Sequence, residues 1–243
     1  MTERQYKILS NLFCSTEDAL YKNLADILKK CYGSKMYPMT EALYAPGDSP
    51  DILLTAHIDT VFRHPVREIY HDEKKGVLWS PQGLGADDRA GIYAILEILR
   101  RGYRPGVLFT MMEEQRGKGV KKFLARRPQP KKQTNFIIAL DRQGSEDSVY
   151  YDLDNEEFEK YINSYGFKTT EGIFSDISII GPIWKIPAVN LSIGYRHEHT
   201  QGEILVYDDL FKTIDKVCAI LDTEKRTPHT FGWETHSFKE MLK

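Results

Sequence analysis

The sequence has few cysteines and no excess of charge of either sign. Three cysteines occur among 243 residues, at Cys14, Cys31 and Cys218, without the close spacing of a disulfide framework or a cysteine zinc site. Lysine and arginine number 33 against 35 acidic residues, for a formal net charge of -2. This balance indicates neither a nucleic-acid groove nor a basic membrane face. We therefore expect reduced thiols and no nucleic-acid or membrane partner.

Long apolar runs are also lacking. No segment approaches the roughly 20 apolar residues that a membrane-spanning helix needs. The N-terminal stretch "MTERQYKILSNLF" is charged and amphipathic, without the cleavage site of a secretory signal. We therefore expect a cytoplasmic protein. Its length and its 41% hydrophobic content suit a single domain over residues 1–243 with a core of its own.

Apolar segments with two different patterns alternate along the chain. Residues 3–31, interrupted near residues 14–16, show helical spacing, as do residues 91–102, "KGVKKFLARR" and residues 207–221. We expect a strand at residues 36–44 and a charged hairpin at residues 68–78. The segments "ILLTAHID", "GVLFTMM", "TNFIIAL" and "IPAVNLSIG" are short continuous apolar runs. Continuous runs are typical of parallel strands that are buried on both faces. The alternation predicts an α/β fold, a three-layer α/β/α sandwich with helices on both faces of a mostly parallel central sheet.

Histidine and carboxylate side chains cluster where the predicted strands end and where the following helices begin. In open sheets of this kind, ligands bind beyond the carboxyl ends of the strands. Each pair alone has an ordinary explanation, since aspartates before a helix often cap it and glutamates after a strand are often solvated. Their joint occurrence at one edge predicts a functional site. The residues are His57 and Asp59, Asp87 and Asp88, Glu113 and Glu114, Asp141, and His197, His199 and Glu203.

These residue types indicate a metal site. Histidine and carboxylate ligands without cysteine suit zinc in an open catalytic site, and other divalent ions such as Co²⁺ or Mn²⁺ also fit. Two neighbouring ions need one bridging carboxylate and about two further protein ligands each. The loops offer five such ligands once one glutamate is reserved for proton transfer. Asp59 is suitably placed to orient the imidazole of His57. We predict two Zn²⁺ per chain.

In this order, the motifs resemble those of the co-catalytic zinc exopeptidases, the aminopeptidases, tripeptidases and carboxypeptidases that share one α/β/α catalytic domain. The resemblance covers residues 53–203. The shared motifs are "AHIDT" at residues 56–60, "GADDRAG" at 85–91, "MEE" at 112–114, "ALD" at 139–141 and "HTQGE" at 199–203.

The resemblance implies a role for each residue. His57 and Asp141 would bind one ion, Glu114 and His199 the other, and Asp87 would bridge the two. Glu113 would be the general base and acid, and Asp59 would orient His57. His197 is an alternative to His199 as the histidine ligand of the last motif, but the four-residue spacing to Glu203 favours His199.

The spacing from Asp141 to His199 is too short for the lid domain that the dimeric branches of this family insert there. The resemblance therefore implies a lidless single-domain type, in which the residue that stabilises the oxyanion comes from elsewhere. Tyr195, Arg196 and His197 are candidates. Asp176, in "GIFSDISIIG", either contacts the substrate or caps a helix.

We expect a di-zinc exopeptidase, an aminopeptidase that cleaves short peptides with a metal-activated water and Glu113 as general base. A deacylase or amidohydrolase acting on N-acyl amino acids or other small amides would use the same site. A non-catalytic module on a peptidase scaffold would show lost ligands, and none is missing. The expected partner is a small peptide or amide, and no motif indicates an oligomeric state.

Overall fold

A computed structural model of the chain describes residues 1–126, 134–151 and 155–232. The chain begins with two amphipathic helices, α1 (Glu3–Phe13) and α2 (Glu17–Tyr32). The Thr2 hydroxyl accepts a hydrogen bond from the backbone amide of Gln5, and the Thr16 hydroxyl accepts one from Ala19. Because each threonine satisfies an amide that the first helical turn leaves free, the helices separate at residues 14–16, as the sequence predicts.

The remaining described elements alternate between short strands and helices. The strands are β1 (Tyr37–Met39), β2 (Ala42–Ala45), β3 (Ile52–His57), β4 (Tyr70–Asp72), β5 (Val77–Trp79), β6 (Gly106–Thr110), β7 (Phe136–Arg142), β8 (Asp147–Val149), β9 (Lys168–Thr169), β10 (Ala188–Ser192), β11 (Tyr195–Arg196) and β12 (Ile204–Val206). The helices are α3 (Ala86–Arg100), α4 (Lys118–Ala125), α5 (Glu156–Asn163), α6 (Ile177–Trp184) and α7 (Tyr207–Arg226).

Eight strands form the central sheet, in the order β1-β2-β6-β3-β7-β10-β8-β9. The four middle strands, β6, β3, β7 and β10, run parallel to one another. Towards the edges, β2 pairs antiparallel with both β1 and β6, and β8 pairs antiparallel with β10. The predicted parallel sheet is therefore confirmed at its centre, and the carboxyl ends of β3, β6 and β7 lie side by side.

Successive side chains of the middle strands enter different cores. Leu54 of β3 belongs to the larger core, which helices α1, α2, α3, α5 and α7 cover. Its neighbour Leu53 belongs to a smaller core, which α4 and α6 cover. Since strand side chains alternate between faces, a continuous apolar run fills both cores at once. The three-layer α/β/α sandwich is confirmed.

A smaller antiparallel sheet has the order β11-β12-β5-β4. Its β4–β5 hairpin, at residues 70–79, overlaps the charged hairpin that the sequence predicts at residues 68–78 and ends one residue later. The loop between β11 and β12 covers residues 197–203 and therefore includes His199. This sheet presents that loop to the site.

Several boundaries differ from the prediction. The strand expected at residues 36–44 is two strands, β1 and β2, that fold back on each other. The closing helix extends beyond residue 221 to Arg226, and β7 continues through Asp141. The end of the helix predicted over "KGVKKFLARR" and the tail from Trp233 lie outside the described residues. Every described helix is too short or too polar to cross a membrane.

Candidate metal centre

A first group of possible metal ligands joins the ends of β3 and β7 to the start of α3. The Nε2 atom of His57 lies 3.0 Å from Oδ1 of Asp87 and 3.5 Å from Oδ1 of Asp141. One ligand atom from each of these three residues lies within 4.8 Å of the others. The His57 side chain is only 2% exposed. Such an arrangement of one imidazole and two carboxylates can hold a divalent ion.

A second group shares Asp87 with the first. The Nε2 atom of His199 lies 3.1 Å from Oδ2 of Asp87 and 3.1 Å from Oε2 of Glu114. Asp87 therefore turns one carboxylate oxygen towards each group, which is the arrangement that a bridging ligand needs. The His199 side chain is 51% exposed, in contrast to the buried His57.

The loop before α3 holds Asp87 in place through a second acid. Glu203 is buried, and its carboxylate accepts hydrogen bonds from the backbone amides of Gly85 and Asp87, the latter at 3.1 Å. Asp88 is fully buried and accepts hydrogen bonds from the amides of His57 and Gly91, both at 3.1 Å. The glutamate that ends the "HTQGE" motif thus positions Asp87, and Asp88 links β3 to α3.

Asp59 contacts His57 mainly through its backbone oxygen. The Nδ1 atom of His57 lies 2.9 Å from the backbone oxygen of Asp59, whereas the nearest Asp59 carboxylate oxygen lies at 3.6 Å. That carboxylate accepts hydrogen bonds from the amides of Glu113 and Glu114, at 3.1 and 3.2 Å. The carbonyl of Asp59 therefore orients the histidine, and its carboxylate positions the glutamate pair.

The two adjacent glutamates have different surroundings. Glu114 belongs to the second ligand group, whereas Glu113 belongs to neither group. The Oε2 atom of Glu113 lies 3.9 Å from Nε2 of His57. The pKa of Glu113 is raised to about 9, mainly by burial, while His57 lowers it and Asp141 adds to the increase. Burial likewise raises the pKa of Glu114 to about 7. Glu113 can therefore hold a proton next to both groups.

Asp176 lies against the site rather than at the surface. It precedes α6 but makes no capping hydrogen bond, so the helix-cap interpretation finds no support in the geometry. Its carboxylate is buried, neither oxygen meets a hydrogen-bond partner among the described residues, and burial raises its pKa to about 7. It lines a small cavity with Glu113 and Asp141. The adjacent Ser175 donates a hydrogen bond to Asp141 at 3.0 Å.

The three oxyanion candidates lie in different positions. Tyr195 is buried and lines the cleft beside both ligand groups, and burial raises its pKa well above the ordinary value. Arg196 is paired with Asp209 at 2.8 Å. His197 is exposed and belongs to neither ligand group, and its carbonyl accepts a hydrogen bond from Thr200. Tyr195 is the candidate that the geometry favours.

Two residues near Asp141 were not predicted from the sequence. The side-chain oxygen of Asn190 accepts a hydrogen bond from the Asp141 amide at 3.0 Å. Its nitrogen donates to the Asp141 carbonyl at 2.8 Å and to the Tyr151 hydroxyl at 2.9 Å. One amide within the apolar run "IPAVNLSIG" is the signal that could have indicated Asn190. No comparable signal marks Tyr151.

Both ligand groups open into one cleft of about 710 Å³, a size typical of small-molecule sites. Its other lining residues are Glu113, Arg116, Lys121, Arg142, Gln143, Tyr151, Ile173, Phe174, Tyr195 and Glu198. The residues present suit a pair of divalent ions, since all donors are imidazole or carboxylate. In addition, Oε1 of Glu114 is buried without a hydrogen-bond partner among the described residues.

Solved structures of peptidases share this fold. A tripeptidase from Staphylococcus aureus superposes with a TM-score of 0.71 at 16% identity, over 93% of this chain and 99% of the other. The aminopeptidase PepT from Bacillus cereus gives 0.68 at 16% identity, over 90% and 98%. An aminopeptidase from the archaeon Desulfurococcus kamchatkensis gives 0.64 at 15% identity, over 90% and 94%. The chain thus shares the fold of these aminopeptidases and of the tripeptidase.

The family model described as "Peptidase family M28" matches residues 42–178, which is more than half of the chain. The chain belongs to peptidase family M28, and it is accordingly a metallopeptidase. The matched segment includes His57, Asp87, Glu113, Glu114 and Asp141. A search of curated protein sequences finds no match.

Proposed function

We propose that the protein is a di-zinc aminopeptidase that hydrolyses short peptides. One ion would be held by His57, Asp87 and Asp141, and the other by Asp87, Glu114 and His199. The observation that supports this best is that the two ligand groups share Asp87 while Glu113 lies beside both and belongs to neither. Two ions bound in this way would supply Lewis-acid chemistry, polarising a carbonyl and lowering the pKa of water.

Glu113 is the proposed general base and acid. Its carboxylate is buried beside both ligand groups, where it could take a proton from the attacking water and return it to the leaving amine. Its pKa of about 9 in the metal-free protein results from burial and from the neighbouring acids. Positive charge held by those acids lowers this pKa towards neutrality, where a proton is both accepted and released readily.

Tyr195 is the proposed donor to the oxyanion. Burial beside Asp87 and Asp141 keeps its hydroxyl protonated. A neutral hydroxyl at the cleft wall can donate a hydrogen bond to the developing negative charge without being displaced by solvent. The free amino group of the substrate would be attracted to the acids of the same rim.

Zinc content and rate, measured on the same samples, test this assignment. We expect Glu113→Gln to keep about two zinc ions per chain while kcat for leucine p-nitroanilide falls about 10²- to 10⁴-fold. His57→Ala and Asp87→Ala should lose zinc as well as activity. The exposed Glu157→Gln on α5 is the matched control for removing a carboxylate. A Glu113→Gln protein with a near-normal rate would exclude the mechanism.

A substrate panel separates this proposal from a deacylase with the same site. Amino-acid anilides and short peptides with a free amino group should be cleaved, and their N-acetylated counterparts should not. Cleavage restricted to the N-acyl compounds would replace the aminopeptidase assignment with the deacylase. The absence of bound zinc and of any hydrolysis would favour a non-catalytic module.

A further inference from the structure

Three basic side chains line the cleft that holds both ligand groups. They are Arg116, Lys121 and Arg142. Arg116 follows the proposed ligand Glu114 by two residues, and Arg142 directly follows Asp141. Lys121 lies in α4 and reaches back towards the loop, because its Nζ donates a hydrogen bond to the Arg116 carbonyl at 2.8 Å. We call these three residues the basic wall.

The charges of the metal site itself do not neutralise the basic wall. When all are deprotonated, the lining carboxylates Asp87, Glu113, Glu114 and Asp141 carry four negative charges, which two divalent ions would balance. Glu198 is then the one lining acid left, and it accepts a hydrogen bond from Gln143 at 2.7 Å. With both ions bound, the cleft would therefore have an excess of positive charge next to the reacting centre.

The side chains of the basic wall also have hydrogen-bond donors that are free to bind a ligand. Arg116 is exposed, and its side chain makes no hydrogen bond or ion pair with the residues that the structure describes. The contacts of Arg142 are long, with its Nε 3.8 Å from a carboxylate oxygen of Asp147 and its Nη2 3.4 Å from the carbonyl of Glu171. Guanidinium and ammonium groups with unused donors are suited to bind a carboxylate.

We propose that the basic wall recognises a carboxylate on the substrate, close to the scissile bond. The substrates would then be very short peptides with a free C-terminus, or peptides with an acidic side chain in that position. This inference rests on the proposed aminopeptidase function and adds the substrate class. An exposed basic face without a ligand is the ordinary alternative, but the basic wall lies within the cleft, unlike the neighbouring Lys122.

Four substrates test the proposal on the zinc-loaded protein. They are Leu-Gly, Leu-Gly-amide, Leu-Glu-amide and leucine p-nitroanilide. We expect kcat/KM to be about tenfold higher for Leu-Gly than for Leu-Gly-amide, mainly through KM, because one charge-assisted contact is lost in the amide. The preference should weaken at high ionic strength. Recovery of the rate with Leu-Glu-amide would identify an acidic side chain as a second source of the carboxylate.

Two variants connect this preference to the basic wall. Arg116→Met and Lys121→Met should each lower kcat/KM for Leu-Gly several-fold more than for Leu-Gly-amide, so that the ratio between the two substrates approaches one. Lys122→Met, on the same helix but outside the cleft, should keep the wild-type ratio. Zinc content, measured in parallel, should be unchanged in all three variants.

The outcomes separate this inference from the proposed function. Equal kcat/KM for Leu-Gly and Leu-Gly-amide, with both cleaved, would overturn carboxylate recognition and leave the aminopeptidase intact. Carboxylate recognition by the basic wall would also be overturned if Lys122→Met changed the ratio of kcat/KM between Leu-Gly and Leu-Gly-amide as much as Lys121→Met does. Failure to cleave any of the four substrates would overturn both the proposed aminopeptidase function and carboxylate recognition by the basic wall.

Discussion

Asp87 is the residue on which both ligand groups depend, since each of its carboxylate oxygens faces a different histidine. Asp87→Ala removes both of these oxygens, so that neither ion would keep a ligand from this residue. We therefore expect this variant to lose both ions, whereas Glu114→Gln should retain close to one per chain. Metal analysis after gel filtration measures the difference. Equal stoichiometry in the two variants would show that Asp87 is not shared.

Asp59 gives a second prediction at the scale of single residues. Its two carboxylate oxygens each accept one hydrogen bond, from the amides of Glu113 and Glu114, and asparagine replaces one of these oxygens with an NH2 group that cannot accept. Asp59→Asn should therefore lower zinc affinity about 10- to 100-fold and also reduce kcat. The exposed Asp18→Asn on α2 is the control. Unchanged zinc affinity and kcat in Asp59→Asn would contradict a positioning role.

The identities of the candidate ligands could be predicted from the sequence because few residue types bind zinc and the fold limits where they lie. The sequence could not show which atoms of each residue act. Asp59 contacts His57 through its backbone oxygen, which every residue type has. Asn190 supports Asp141 from a neighbouring strand 49 residues away, a distance over which sequence pattern carries no information.

At the scale of elements, α4 sets the position of the glutamate pair. Gly119 lies where an added Cβ would come 1.6 Å from the Met111 carbonyl, so α4 packs directly on the backbone that leads into Glu113. Gly119→Ala must push the helix or that loop aside. We expect a loss of about 1–3 kcal/mol in unfolding free energy, together with weaker zinc binding.

Thermal unfolding and zinc titration measure the two effects of Gly119→Ala. Gly232→Ala is the matched control, because an added Cβ there meets no atom within 4 Å. Wild-type stability in Gly119→Ala would mean that α4 does not fix the loop.

The long helices and the buried strands could be predicted because their apolar patterns extend over many residues. Strands of two or three residues, such as β9 and β11, have no such pattern and form because neighbouring strands pair with them.

For the whole molecule, the buried acids make the metal-free protein sensitive to pH. The pKa of Glu113 is raised to about 9, and those of Asp176 and Glu203 to about 7, in each case mainly by burial. A folded state that binds more protons than the unfolded state loses stability as pH rises. The pKa of His199 is raised to about 9, chiefly by its hydrogen bond to Asp87. The stabilisation of the folded state that His199 contributes is therefore complete below pH 6.5 and is also lost towards pH 9.

Zinc should oppose the loss of stability with rising pH, because it binds the deprotonated ligands and its affinity therefore rises with pH. We expect the Tm of the chelator-treated protein to fall between about pH 5 and 9, and the gap in Tm between zinc-loaded and metal-free protein to widen over the same range. Differential scanning calorimetry at several pH values tests this. A gap that stays constant or narrows would contradict it.

The unequal exposure of the two histidines has a kinetic consequence. The ion beside His57 would be enclosed by the central sheet, whereas the ion beside His199 would face solvent on a loop of the smaller sheet. Chelators and competing metals therefore reach the His199 position first. Metal exchange should proceed in two phases, with a long-lived one-ion species between them, and a foreign ion added in small amounts should enter the outer position selectively.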